Sequence, residues 1–302
     1  MFKKLLVPLD GSRLAEAAIP AAVFLAQKTG ASVALLHILE KNAPQQVHGE
    51  RHLTSADEAK VYLAEIAARL FPQDIRVGIH VHTLETENVA RGIADHLLEL
   101  HQNTVVMAAH GQGGLRAALF GNIAQQVVAL GTMPVLLVRA EGGTFACRKI
   151  LIPHDGVPDH EPALQTGIEL ACRTKAEVKL VMVVPTAGTL AGAQAAMGQL
   201  LPRSTRVILE LTEQDGVQHL QEHTAELRDR GLKVTAEVRR GDPVEEILKA
   251  GQAFAADVIV LGTHGKSGAK AFWEGSVAAR VAAKSTSSLL FVPISKTTAD
   301  TP

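Results

Sequence analysis

Val258-Ile-Val-Leu-Gly-Thr-His-Gly265 is a short β-branched apolar run that closes on two glycines. Such a run is too brief for a helix and too continuously apolar for a strand with one wet face. It reads as a strand of a parallel sheet covered on both sides. The same pattern stands earlier as Thr104-Val-Val-Met-Ala-Ala-His-Gly111, offset by 154 residues, and Phe120-Gly-Asn-Ile-Ala124 recurs as Glu274-Gly-Ser-Val-Ala278 at that offset. Leu6-Val-Pro-Leu-Asp-Gly11 recurs as Leu151-Ile-Pro-His-Asp-Gly156, offset by 145. Two copies of one domain, the second with a nine-residue insertion, explain all three matches. The glycine-rich seam Glu141-Gly-Gly-Thr-Phe145 gives domains over 1–142 and 146–302.

In the second copy the pattern predicts strands over 149–153, 177–184, 234–239, 257–261 and 287–292. Helices are expected over 159–174, 212–230 (closed by Gly231), 243–254 (opened by Asp242 and Pro243) and 276–284. The first copy follows the same order and ends on a strand at 134–138. Strands alternating with helices define an α/β fold: two tandem doubly wound domains, each a five-stranded parallel sheet with helices on both faces.

A chain of 302 residues suits two domains, and 47% hydrophobic with 20% charged residues excludes a disordered polymer. Lysine and arginine number 30 against 31 aspartate and glutamate, and both copies are near balance, so neither nucleic acid nor an anionic membrane is an expected partner. Cys147 and Cys172 fit no metal-knuckle or redox spacing. The start, with lysines at 3 and 4, fits no signal peptide, and no apolar run approaches a membrane span; a cytoplasmic location is expected.

Glycines at the carboxyl end of a parallel strand let backbone amides approach an anion, and Gly275-Ser276 opens a helix whose N-terminus favours phosphate. Asp155, just past the first strand of the second copy, stands where a carboxylate can accept ribose hydroxyls at the edge of the crevice. The spacing Gly262-x-x-Gly265-x9-Gly275-Ser276, with Ile152-Pro-His-Asp155 and Gly241-Asp-Pro243, resembles the ATP-binding signature of the universal stress protein family. The resemblance spans nearly the whole chain. It implies ATP as the ligand, with Mg²⁺ allowed beside it. Asp155 would meet the ribose or adenine, and the Val183 backbone would read adenine. Gly262, His264 and Gly265 would wrap the phosphates, with Gly275 and Ser276 completing the cradle.

The first copy departs from this pattern. Asp10 and Gly111 match, but Ala108 replaces Gly262, Asn122 replaces Ser276 as the expected helix cap, and Glu85-Thr-Glu-Asn88 replaces the Gly-Asp-Pro turn. An alanine methyl is expected to narrow the approach of phosphate, leaving the first copy a structural or regulatory partner that admits a nucleoside weakly. Family resemblance also implies pairing of the two fifth strands as an intrachain pseudo-dimer, since unpaired apolar edges invite aggregation. It allows a further homodimer.

Other motifs carry less. Gly262-Thr-His-Gly-Lys-Ser267 lacks the first glycine of a phosphate-binding P-loop, which leaves Lys266 a loop residue. His219-Leu-Gln-Glu-His223 puts two histidines on one helical face, but a metal would need a third ligand from elsewhere, so two exposed histidines are expected. His80 and His82 point to one side of a strand, where a partly exposed sheet edge suffices to explain them. His110 and His264 are equivalent, and either loop bonding or chemistry explains them equally. Gly111-Gln-Gly-Gly114 is no dinucleotide fingerprint, and no Gly-x-Ser-x-Gly elbow occurs. Cys172 is expected to be a buried thiol, and Trp273 to pack under the loop.

The leading expectation is a binding module: a nucleotide-dependent stress-response regulator in which ATP changes the conformation of loop 262–276. The rivals are a slow ATP hydrolase, with Asp155 or His264 positioning water, and a structural interaction protein that binds no nucleotide.

Overall fold

The apolar runs fold into strands, and the stretches between them into helices that lay one face on the sheet. The computed structural model describes residues 1–41, 46–47, 50–51, 53–109, 121–139, 144–190, 192–264 and 276–294. The first half comprises β1 (Lys4–Pro8), α1 (Arg13–Glu16), α2 (Ile19–Thr29), β2 (Ser32–Glu40), a small hairpin of β3 (Gln46–Val47) and β4 (Glu50–Arg51), α3 (Ala56–Leu70), β5 (Val77–Thr86), α4 (Val89–Glu99), β6 (Thr104–Ala109), α5 (Asn122–Leu130) and β7 (Val135–Arg139). The second comprises β8 (Lys149–Pro153), a 3₁₀ turn over Pro158–His160, α6 (Glu161–Thr174), β9 (Glu177–Val184), α7 (Gly192–Leu200), α8 (Pro202–Asp229), β10 (Val234–Arg240), α9 (Pro243–Phe254), β11 (Val258–His264), α10 (Val277–Lys284) and β12 (Ser288–Ile294).

Ten strands form one sheet in the order β10-β9-β8-β11-β12-β7-β6-β1-β2-β5. Within each half every pairing of this ten-stranded sheet is parallel. The fifth strands meet antiparallel, with Leu289, Leu290 and Phe291 opposite Leu137, Leu136 and Val135. All six side chains are buried. Two apolar layers, one on each face of the sheet, draw residues from both halves. Around the seam, the Phe24 and Phe145 rings meet edge to face at 5.4 Å, and the Met1 ammonium lies 2.6 Å from Glu169.

In α6 the apolar positions Ala163, Leu164, Ile168, Leu170 and Ala171 are buried. The helix expected over 212–230 differs most, because α8 already begins at Pro202, with α7 ahead of it. Pro202 occupies the first turn, where its missing N–H costs no hydrogen bond and its ring fixes a helical φ. A further consequence concerns Gly216, which falls inside this helix: a Cβ there would lie 2.5 Å from Met182 Sδ. The missing side chain lets α8 close down on β9.

Candidate functional site: the switch points of the sheet

In each half the chain runs outward from its first strand, then crosses back to the other side. The order therefore reverses between β8 and β11, and between β1 and β6. Crevices open at the carboxyl ends of strands where this happens.

In the second half Asp155 follows β8 and holds an Asx turn, its Oδ1 accepting the Val157 N–H at 3.1 Å. His160, which the motif reading did not single out, sets its Nδ1 2.7 and 2.8 Å from the two Asp155 oxygens. The His160 ring lies 5.4 Å from that of His264 at the end of β11, so this pair spans the rim between the two strands. Val183 sits near the end of β9. The His154 N–H donates to the Val181 carbonyl at 2.9 Å, one rung past the last β8 register pair, Pro153–Val181. Alternate residues of a parallel strand turn both backbone groups to the same neighbour, so Val183 directs its N–H and C=O beyond the end of β8. Ser276, beyond the end of β11 in sequence, caps α10, its hydroxyl accepting the Ala279 N–H at 3.1 Å. Gly265 and Gly275, together with Lys266 and Trp273, lie outside the described residues.

The Gly-Asp-Pro turn is a helix cap. Asp242 accepts the N–H groups of Val244 and Glu245 at 3.0 and 3.1 Å. The Glu245 N–H, and secondarily the Arg280 guanidinium 3.4 Å away, hold the Asp242 carboxyl below its ordinary range. Arg280 belongs to α10, so this contact ties the third-strand turn to the helix that Ser276 opens.

The reading of Gly262 changes. A Cβ at this position would meet Ile294 Cδ1 at 3.2 Å and Ala163 Cβ at 3.6 Å. That direction is into the layer under α6, and Ala108 carries its methyl in the same layer. A side chain at Gly262 would thus meet core packing, while Ala108 lies in that layer and also lines the first-half crevice. Asn122 changes too: α5 starts one residue earlier than expected, with Gly121 at the cap and no side-chain cap bond. Asn122 then sits inside the first turn and accepts from Gln126 Nε2 at 3.0 Å. Of the two acidic residues near 86, Glu87 is paired with Lys41 at 2.9 Å, and the Glu85 side chain lies outside the described residues, as do His110 and Gly111.

The first half nonetheless holds a crevice of about 410 Å³ at its own switch point. Asp10, Ile38, Met107, Ala108, Gly121 and Asn122 are among its walls, and the lining is mostly apolar. Asp10 holds the same Asx turn as Asp155, accepting from Ser12 N–H at 2.9 Å and Ser12 Oγ at 2.7 Å. The glycine pattern left this half only a weak nucleoside site, whereas the cavity is built mostly from ordinary apolar side chains.

Two further expectations need correction. Cys172 is exposed, because the buried face of α6 ends at Ala171; the buried thiol is Cys147, whose pKa burial pushes up to about 12. His219 and His223 are half-buried rather than exposed, and both face His154. His80 and His82 do lie on an edge strand, β5, and both rings contact His96 on α4 with centroids at 4.8 Å. Among the described residues no helix is long and apolar enough to cross a membrane.

The architecture defines a tandem doubly wound α/β protein with a switch point in each half and a crevice at that of the first. The model of the universal stress protein family matches residues 1–139 and again 146–293, and the chain belongs to that family. A universal stress protein of Mycolicibacterium smegmatis is 24% identical over 297 residues, 95% of this chain and 96% of that protein. One from Synechocystis is 34% identical over 139 residues, 46% of this chain and 86% of that protein. The solved structure of a universal stress protein from Archaeoglobus fulgidus shares the fold, with a TM-score of 0.67 over 98% of both chains at 14% identity.

Proposed function

We propose that the chain is a nucleotide-dependent stress-response regulator that binds one ATP, in its second half. The observation that carries this reading is the rim between β8 and β11. There the Val183 backbone is turned past the end of β8, Asp155 stands at the same edge, and α10 presents its hydroxyl-capped N-terminus opposite. An adenine can be read by backbone groups, a ribose by a carboxylate, and phosphates by helix N–H groups. In this reading Gly262, His264, Gly265, Gly275 and Ser276 surround the phosphates, Gly262 through its backbone alone, with Mg²⁺ allowed beside the nucleotide. Regulation by binding, rather than turnover, fits a rim whose nearest acid–base pair, Asp155 and His160, is already closed on itself at 2.7 Å.

The first-half crevice supports a second reading for its own half. Its apolar walls suit a nucleoside-sized ligand with little charge, and carboxylates at Asp10 and Glu40 oppose phosphate. Calorimetric titration of the full chain tests both. The expected result is one ATP per chain. Asp155→Asn keeps the turn's acceptor yet weakens binding about 10-fold or more, the scale of a hydrogen bond to a charged group. Asp10→Asn leaves ATP affinity unchanged. Two equal sites, or sensitivity to Asp10 alone, overturns the assignment, and phosphate release at a catalytic rate favours the hydrolase.

A further inference from the structure

The helix carrying His219-Leu-Gln-Glu-His223 lacked a third ligand in sequence, and the fold supplies one. His154, the residue after β8, comes within 3.3 Å of His219, Nε2 to Nε2. One ring nitrogen from each of His154, His219 and His223 falls within 4.8 Å of the others. We propose that these three imidazoles form a binding site for a divalent transition-metal ion of the zinc class, with its remaining coordination position open to water.

Geometry, chemistry and local construction all support the site. Two nitrogens about 2.05 Å from a tetrahedral zinc stand roughly 3.3 Å apart. The His154–His219 separation is the same. The ring centroids lie 5.4, 5.7 and 4.5 Å apart, around the ~5.2 Å expected for imidazoles sharing one such ion. Neutral imidazole sets favour zinc, copper and nickel over magnesium or calcium.

The surroundings bring the three together. The His154 main chain is pinned to Val181, and Gly216 lets α8 settle on Met182 one turn before His219. Gly156, at φ +77°, would place a Cβ 3.7 Å from His219 Nε2, so the turn after β8 leaves room for the ring. His219 and His223 share a helical face at i and i+4. An ion here would clip α8 to the end of β8, one residue from Asp155. Among the described residues the first half has no such group at this rung. Leu9 occupies the position of His154, donating its N–H to Leu36 as His154 does to Val181.

That leucine supplies the variant. His154→Leu places at the second rung the side chain that the first rung already carries, and His223→Gln removes a ligand from the half-buried helix face. His80→Gln serves as a control, because His80, His96 and Glu99 form another group of potential ligands. Metal-stripped full-length protein is titrated with Zn²⁺ against a chromophoric chelator, and with Co²⁺ to read the intense visible bands of tetrahedral coordination. The expected result is one tight ion per chain that raises the melting temperature. Affinity falls about 100-fold or more, and the Co²⁺ bands vanish, in His154→Leu and His223→Gln but not in His80→Gln. Equal Zn²⁺ affinity in wild type and His154→Leu, with both folded by circular dichroism, overturns the proposal. So does loss of the tight ion in His80→Gln alone.

Discussion

At the end of β1, Asp10 closes a turn on Ser12, and the wall behind it is Leu9, Ile38 and Met107. At the end of β8, Asp155 closes the same turn on Val157, but its neighbours are His154 on one side and His160 and His264 on the other. The backbones coincide rung for rung, since Leu9 and His154 donate to equivalent carbonyls. The repeat thus keeps the rim while the side chains differ, the first half's walls being mostly apolar and the second half's edge rich in imidazole. A binding signature read from glycines registers only part of this difference. The rest lies in residues that are far apart in sequence and meet on the second-half rim.

The comparison presumes that both halves share one framework, and the largest predicted effect tests that. Leu290 is fully buried opposite Leu136 in the antiparallel pairing of β12 and β7. Leu290→Ala is expected to cost about 2–5 kcal/mol, the range for a buried leucine truncation in a core that relaxes only in part. Because the apolar layers run through the seam, both halves should lose stability together in one denaturant transition. Two transitions, only one of them shifted, would mean that the halves fold independently and that the shared sheet is incidental.

Much of this framework was legible in the sequence. Period, caps and repeats placed β8, β9, α9 and the fifth strands, because each is governed by local propensity and by burial on both faces. The start of α8 was not legible, since Pro202 is both a breaker and a first-turn residue, and only the tertiary position of the helix decides between them. At the rim, Asp155 could be named from its place after a strand. His160 could not, because its meeting with Asp155 depends on the 3₁₀ turn that carries it round. The third histidine beside His219 and His223 was equally hidden: it lies 65 residues away and arrives through strand order. The direction of a missing Cβ at Gly262 likewise needed the strand's pleat, which spacing does not give.

A smaller effect sharpens the contrast at the helix N-termini. Ser276 caps α10 through its hydroxyl, whereas Asn122 lies inside α5 and bonds Gln126 on the surface. Ser276→Ala should cost about 1 kcal/mol of stability, as the loss of an N-cap does. Asn122→Ala should change stability by no more than about 0.5 kcal/mol, being an exposed position without a capping role. Equal losses measured by urea denaturation would return Asn122 to the capping role its alignment with Ser276 suggested. Because the Ser276 hydroxyl accepts from Ala279, its proton is free to be donated, and ATP affinity of the alanine variant should fall as well.

The smallest expected effect decides what Gly262 is for. If its role were to clear space for phosphate, Gly262→Ala would weaken ATP binding and leave the core undisturbed. The observed Cβ direction requires the opposite pattern. A methyl would press on the Ile294 Cδ1 atom at 3.2 Å, a movable side-chain end, and would sit in ordinary contact with Ala163. The strain of a few tenths of an ångström then opposes the backbone entropy gained on replacing glycine, a gain of roughly 0.5–1 kcal/mol. The net change in stability should stay within about 0.5 kcal/mol. ATP affinity should be the same as wild type, since no new atom enters the crevice. The reverse exchange, Ala108→Gly, removes a buried methyl and gains chain entropy in the unfolded state, so it should destabilise by about 1 kcal/mol without creating a second ATP site. Calorimetry on both variants reads the answer directly. A loss of ATP binding in Gly262→Ala, or a gain in Ala108→Gly, would restore the phosphate-clearance role and make this single residue the source of the asymmetry between the halves.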